Sequence, residues 1–266
     1  MTRISHSVIV ASVPRPWFER ALAVVQDVVS GTRCEGGRVL LPDGRPVPGV
    51  RLVKGEHLAP GATYEAAGDS EDAGRVPREQ VRFVVRRSGS EPAARLELVL
   101  GDEETVTAVE GALRGAGRPA AVELRGSLRA AGRWPALRQA HGEARADFRA
   151  WWKAAAGRRF SGAPFEARLE HRFGTARLRA VPRPHDEDHW EVRLVVSLRG
   201  RSILRPVAAL GLLMFHRRLR EAVADAVNRT ARVWNETVPN TRALDTGRLR
   251  TRILDSAASP PEEAHL

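Results

Sequence analysis

Along this chain the hydrophobic and polar positions fall into short alternating runs separated by a few one-faced helical stretches. The clearest block lies between Trp190 and Trp234. Trp190, Val192, Leu194, Val196 and Leu198 recur at the two-residue period of a half-buried strand. After Arg199-Gly200-Arg201, the residues Leu212, Phe215, Leu219, Val223, Ala226, Val227 and Trp234 recur at three- and four-residue steps, the spacing of a long one-faced helix. A strand turning directly into such a helix places the helix back over a sheet.

The opening repeats this order on a smaller scale. Ile4–Ala11 alternates as a strand, Ser12, Pro14 and Pro16 suit a helix start, and Phe18, Leu22, Val25 and Val29 mark a short helix ending near Gly31. Residues 32–78 are broken by glycine and proline turns, with short strands expected at Arg38–Leu41, Val50–Val53 and Ala62–Ala66. Gln80–Arg87, Ala94–Leu100 and Ala120–Leu128 also read as strands. Residues 102–113 fit either a helix, with Val106, Val109 and Leu113 in register, or a Thr/Val-rich strand. Trp134–Ala156 has the spacing of a helix, with Leu137, His141, Ala144, Phe148, Trp151 and Ala155 on one side. Phe165–Phe173, Thr175–Val181 and Trp190–Leu198 then form an antiparallel meander feeding the long helix. Residues 240–266 read as a partly ordered to disordered tail.

Composition sharpens this picture in two places. The 266 residues carry 42% hydrophobic content, enough for a real core, and a formal net charge of +11. Only Lys54 and Lys153 are lysines among 43 basic residues, so the arginine excess resembles the codon bias of a GC-rich bacterial genome. The charge is densest late: residues 201–252 hold eleven arginines against Glu221, Asp225, Glu236 and Asp245. Cys34 stands alone, which excludes an intramolecular disulfide and a Cys-based zinc cluster and fits a reducing cytoplasm. The longest apolar stretch, Val207–Phe215, falls short of the roughly 20 residues that span a bilayer, so a soluble cytoplasmic protein is expected.

Two segments together resemble the helix-grip superfamily of START-like, polyketide-cyclase-like (SRPBCC) proteins. They are Ile4-Ser-His-Ser-Val-Ile-Val-Ala-Ser-Val-Pro-Arg-Pro-Trp17 and the ending Leu198-Arg-Gly-Arg-Ser-Ile-Leu-Arg-Pro206, whose helix closes on Val233-Trp-Asn235. The resemblance covers mainly residues 4–30 and 165–236. It implies an α+β fold in which a curved antiparallel β-sheet wraps a long C-terminal α-helix, here with an extended middle region at 31–160. The expected unit is one elaborated domain over 1–239, or two subdomains at 1–116 and 117–239. Such proteins hold lipids, polyketides or other hydrophobic small molecules between sheet and helix; some are cyclases, and no shared catalytic motif maps onto this chain.

On that reading the cavity is lined by His6, Tyr64, Leu169, Phe173, Trp190, Leu194, Phe215, Leu219, Val223 and Trp234. His171 shares a strand face with Phe165, Ala167 and Leu169, which makes it the candidate acid/base residue. Whether any reaction is catalysed stays open. His185-Asp-Glu-Asp-His189 holds potential metal ligands, but its flanking prolines and strands make it a hairpin loop, so no metal is assigned and no cofactor is called for. Gly115 and Gly117 precede a strand, the reverse of a dinucleotide fingerprint, and a Gly-x-Ser-x-Gly elbow is absent. The rival reading is a basic surface module that meets nucleic acid or an anionic membrane through Arg217, Arg218 and Arg220.

Overall fold

The computed structural model describes residues 2–67, 79–88, 91–100, 105–115, 119–130, 139–200 and 205–259. The chain runs β1 (Thr2–Ala11), α1 (Arg15–Ser30), β2 (Arg33–Glu35), β3 (Arg38–Leu40), β4 (Pro46–Lys54), β5 (Thr63–Ala67), β6 (Glu79–Ser88) and β7 (Glu91–Leu100). It continues through β8 (Thr105–Arg114), β9 (Ala121–Ala130), β10 (Gln139–Asp147), α2 (Phe148–Ala155), β11 (Phe165–His171), β12 (Gly174–Pro184), β13 (His189–Gly200), α3 (Arg205–Arg242) and α4 (Thr246–Ala258). The class is α+β, antiparallel strands with four helices among the described residues, as the alternation of periods led one to expect. No helix among the described residues is long and apolar enough to cross a membrane.

The chain divides into two compact units, each built from separate stretches. One comprises residues 1–15, 119–125 and 139–243; the other comprises 16–118, 126–138 and 244–266. In the first unit the strands lie in the order β1-β13-β12-β11-β10, all antiparallel. The long helix α3 packs chiefly along β1. Its inward stripe is Leu219, Val223, Val227 and the buried Ala231, a four-residue step that turns slowly around the helix. α2 packs on β12, with its buried Ala154 and Ala155 allowing a close approach.

Side chains of α3 also complete the edge of β1. Asn235 accepts from the backbone N–H of Ala11 at 2.7 Å and donates to the carbonyl of Ile9 at 3.0 Å, replacing a neighbouring strand at that position. The Trp234 indole N–H donates to Ala11 O at 2.9 Å. Arg242 donates to Ser12 O at 3.0 Å and to Asp188 at 2.7 Å, tying the end of α3 to the end of β1 and to the β12–β13 turn. An open strand edge is a template for aggregation, and here a helix covers part of it.

In the second unit β8-β7-β6-β5-β4-β3-β2 form an antiparallel meander. One core cluster joins Val28 of α1, Leu41 and Leu254 of α4; another joins Val39, Ala62 and Tyr64. α4 is therefore an integral part of this unit. Its Asp245 N-cap accepts from Arg248 N, and Arg250 and Asp255 pair with Asp27 and Arg45.

Two expectations change and one open alternative is decided. Residues 139–147 are strand, not helix. Ala140, Gly142, Ala144 and Ala146 alternate with His141, Glu143, Arg145 and Asp147, and the run pairs residue by residue with β11. Small residues satisfy either period, and the ladder with β11 outweighs alanine's helix propensity. The helix starts only at Phe148, where Asp147 accepts from Ala150 N; Trp134 and Leu137 lie outside the described residues. Of the two readings of 102–113, the strand holds, because Thr107 and Val109 pair with Leu98 and Leu96 of β7. In α1 the buried stripe carries Val24 and Val28, while the expected Val25 and Val29 are 40% and 48% exposed.

Candidate functional site

The register of the first unit's sheet arranges its side chains into two faces of opposite character. On one face, Ile4, Val196, Leu178, Ala167 and Ala144 lie in a row across the strands. The neighbouring rows are His6-Leu194-Ala180-Phe165-Ala146 and Leu198-Ala176-Leu169-Gly142. This face turns towards α3, because His6 Nε2 donates to Asn228 at 2.9 Å. It is closed at one end and open at the other. Ile4, Ala180 and Val192 are at most 7% exposed, whereas Leu169 and the adjacent Phe173 are 50% and 40% exposed.

Of the residues proposed for a cavity, His6, Leu169, Trp190 and Leu194 share this face, and Leu219 and Val223 belong to the half-buried stripe of α3. Trp190 packs edge-on against Trp151 of α2, with centroids 6.1 Å apart. Trp152 is a structural residue, donating its indole N–H to Val13 O at 3.0 Å with Arg15 stacked over the ring. Trp234 is half exposed and tied to β1, while the side chain of Phe215 lies outside the described residues. Between β1 and α3 runs an open groove of about 520 Å³, lined by Val8, Asn228, Ala231, Asn235 and Glu236 among others. Its helix side is largely polar.

His171 ends β11 beside the two-residue turn to β12. Its Nδ1 faces Phe173 N at 3.4 Å and its ring lies 5.0 Å from the Phe173 ring. The His185–His189 segment is the β12–β13 turn, where Asp186 accepts from Asp188 N and from His189 Nδ1. The bond from His189 holds the Asp186 carboxyl below its ordinary range. No group of three potential metal ligands occurs among the described residues.

Tyr64 belongs to the second unit, 6% exposed in its core. There it joins a polar chain that the sequence did not signal, because Thr32, His57 and Tyr64 sit in three different segments. Thr32 Oγ lies 2.6 Å from Val29 O and 2.9 Å from His57 Nε2. A carbonyl only accepts, so the threonine proton goes to Val29 and Nε2 carries the imidazole hydrogen. In the neutral ring Nδ1 then accepts from Tyr64 OH at 2.9 Å, and the phenol oxygen accepts from Leu58 N at 2.8 Å. Leu58 is the one non-glycine residue with positive φ, 58°, among the described residues. The hydrogen bonds run in one direction from Leu58 to Val29, which makes this a fastening between segments.

Replacing Tyr64 by Phe removes two of these bonds and is expected to cost about 1 kcal/mol in denaturant unfolding. Burial also pushes the Tyr64 hydroxyl above its ordinary pKa. Its contribution to stability is complete below the unfolded value of about 10 and is lost as pH rises through the folded value. Tyr64 is the only tyrosine in the chain, so tyrosinate absorbance reports it alone. Its ionisation should coincide with alkaline unfolding of this unit; ionisation near pH 10 in a still-folded protein would contradict the assignment.

The other sheet face of the first unit is charged. Arg3, Arg193, Arg177, Arg179 and Arg183 project from β1, β13 and β12, with Glu166, Arg168, Glu143 and Arg145 on β11 and β10. Arg177 and Arg179 share Glu166 at 2.6 and 3.4 Å. On α3, Arg217 pairs with Glu221 at 3.0 Å, and Arg218 and Arg220 are exposed. No protein-family model matches the chain, and neither the curated proteins nor the solved structures contain a match to it.

Proposed function

We propose that the first unit binds a hydrophobic small molecule, such as a lipid or polyketide, against the apolar face of its sheet, in the manner of a helix-grip carrier. The observation that supports this most is the open end of that face. Leu169 and Phe173 stay 50% and 40% exposed at the margin of an otherwise apolar grid, and exposed apolar patches mark interaction sites. In support of the helix-grip reading, the long helix α3 packs chiefly along β1. His171, beside Phe173, is a polar group at the mouth of this site. Its imidazole engages its own turn, so the reading is one of binding, with a processing step through His171 secondary.

Native mass spectrometry of protein purified from its own host should find a retained apolar ligand, and a fluorescent apolar probe should be displaced by fatty acids. Leu169→Arg, at a half-exposed position that tolerates the change, is expected to weaken probe binding about tenfold or more, about 1.4 kcal/mol. A folded protein that binds no apolar probe at all would end the proposal. Contact with nucleic acid or an anionic membrane through Arg217, Arg218 and Arg220 has less behind it. Arg217 is ion-paired, and Arg242, Arg248 and Arg250 of the same basic region are engaged by Asp188, Asp245 and Asp27.

A further inference from the structure

On the charged face of the first unit, Arg3, Arg179, Arg183 and Arg193 converge on a cleft of about 410 Å³ whose floor includes Val181 and Val195 and whose wall includes Gly162. We propose that this cleft is a binding site for a small, multiply charged phosphoanion, a molecule carrying a di- or triphosphate group.

The local charge balance carries the inference. None of the residues lining this cleft is acidic. The side chains of Arg3, Arg183 and Arg193 make no hydrogen bond or ion pair among the described residues, and Arg179 has only a 3.4 Å share of Glu166, which is held more closely by Arg177. Glu191 sits opposite Arg183 in the ladder, outside the cleft's lining and without an ion pair to it among the described residues. Arg193 stands opposite Val181, diagonally between Arg179 and Arg183 of the adjacent strand, and positive charges placed so close repel one another.

Codon bias toward arginine does not account for this placement. The neighbouring cleft on the same face, about 530 Å³, sets Glu123, Glu143, Asp147 and Glu166 against Arg125, Arg145, Arg168 and Arg177. There four carboxylates balance four arginines in the lining. Around Arg3, Arg183 and Arg193 the cleft instead brings guanidinium groups together with no acid in its lining.

Guanidinium is the side chain suited to this task. Its planar fork of donors matches phosphate oxygens two at a time, and it keeps its charge at every working pH. A cluster of such groups calls for an anion with several charges. The cleft's volume is that of a small-molecule site, which points to a small phosphoanion rather than an extended polyanion. This site lies on the opposite face of the sheet from the apolar one, so either can fail without the other.

Calorimetric titration of the full chain at about 150 mM salt tests the proposal, a salt level at which loosely held surface charges are screened. Inorganic tripolyphosphate is expected to bind more tightly than pyrophosphate, and pyrophosphate more tightly than orthophosphate. The double variant Arg183→Ala, Arg193→Ala should lose about tenfold or more in affinity, whereas Arg218→Ala, Arg220→Ala should lose none. Both pairs are exposed, and tripolyphosphate should raise the melting temperature of the wild type and not of the Arg183/Arg193 variant, which separates lost binding from lost folding. The site is overturned if tripolyphosphate does not bind, if both double variants weaken it equally, or if a single-stranded oligonucleotide binds more tightly the longer it is, the mark of a nucleic-acid surface.

Discussion

Leu41→Ala is expected to lower the stability of the second unit by about 2–5 kcal/mol. Leu41 is 2% exposed and is the contact through which Val28 of α1 and Leu254 of α4 meet, with Val47 and Ile253 packed around them. Truncation removes the side chain's transfer free energy and leaves a void between elements whose backbones are held elsewhere, by the Leu41–Arg45 and Gly44–Leu41 backbone bonds. The remaining ties of α4, Arg45–Asp255 and Arg250–Asp27, lie at the surface, where such pairs contribute about 0–1 kcal/mol each. They cannot offset the loss. Hydrogen exchange should therefore speed first at the amides of Leu249–Leu254, and denaturant titration should give the loss itself. A variant that loses less than about 1 kcal/mol, with α4 still protected, would show that Leu41 is not the pivot of this core.

Asn235→Ala is expected to cost about 1–3 kcal/mol in the first unit, from one exposed residue. The reason is that its carboxamide serves two backbone groups at once. It takes the N–H of Ala11 and gives to the C=O of Ile9, on the edge of β1 that β13 does not use. Alanine leaves both groups without that partner beneath α3. Asn235→Asp keeps the acceptor for Ala11 but turns a carboxylate toward the Ile9 carbonyl, so it should recover only part of the loss. The measurements are thermal unfolding of the three proteins and light scattering, since an uncovered β1 edge invites association. Equal stability of Asn235→Ala and wild type would mean that α3 is held on β1 by its Leu219-Val223-Val227 stripe and by Trp234 and Arg242, without a net contribution from Asn235.

The apolar sheet face was the part most open to sequence reading. Strand alternation alone puts His6 with Ile4, Val8 and Val10, and Leu194 with Trp190 and Val196, and those faces are the ones turned toward α3. Tyr64 shows the limit. It has the amphipathic side chain expected in a ligand cavity, but it belongs to the second unit's core, fastened to His57. The arginine cleft was hidden for another reason. Arg3, Arg179, Arg183 and Arg193 are ordinary members of an arginine-rich chain until the β1-β13-β12 ladders place them on one face.

The sequence by itself determined the periods: which stretches alternate as strands, that a long helix follows β13, and that the class is α+β. It did so because the repeat of a single element depends on residues a few positions apart. Tertiary structure alone decided the rest. The small residues of 139–147 became β10 because β11 lies beside them, and α1 buried Val24 and Val28 because Leu41 and Leu254 meet that side. It also decided which arginines are held in ion pairs and which gather at a cleft with no carboxylate in its lining. Those outcomes depend on the register between segments far apart in the chain, and local hydrophobic patterning carries no record of that register.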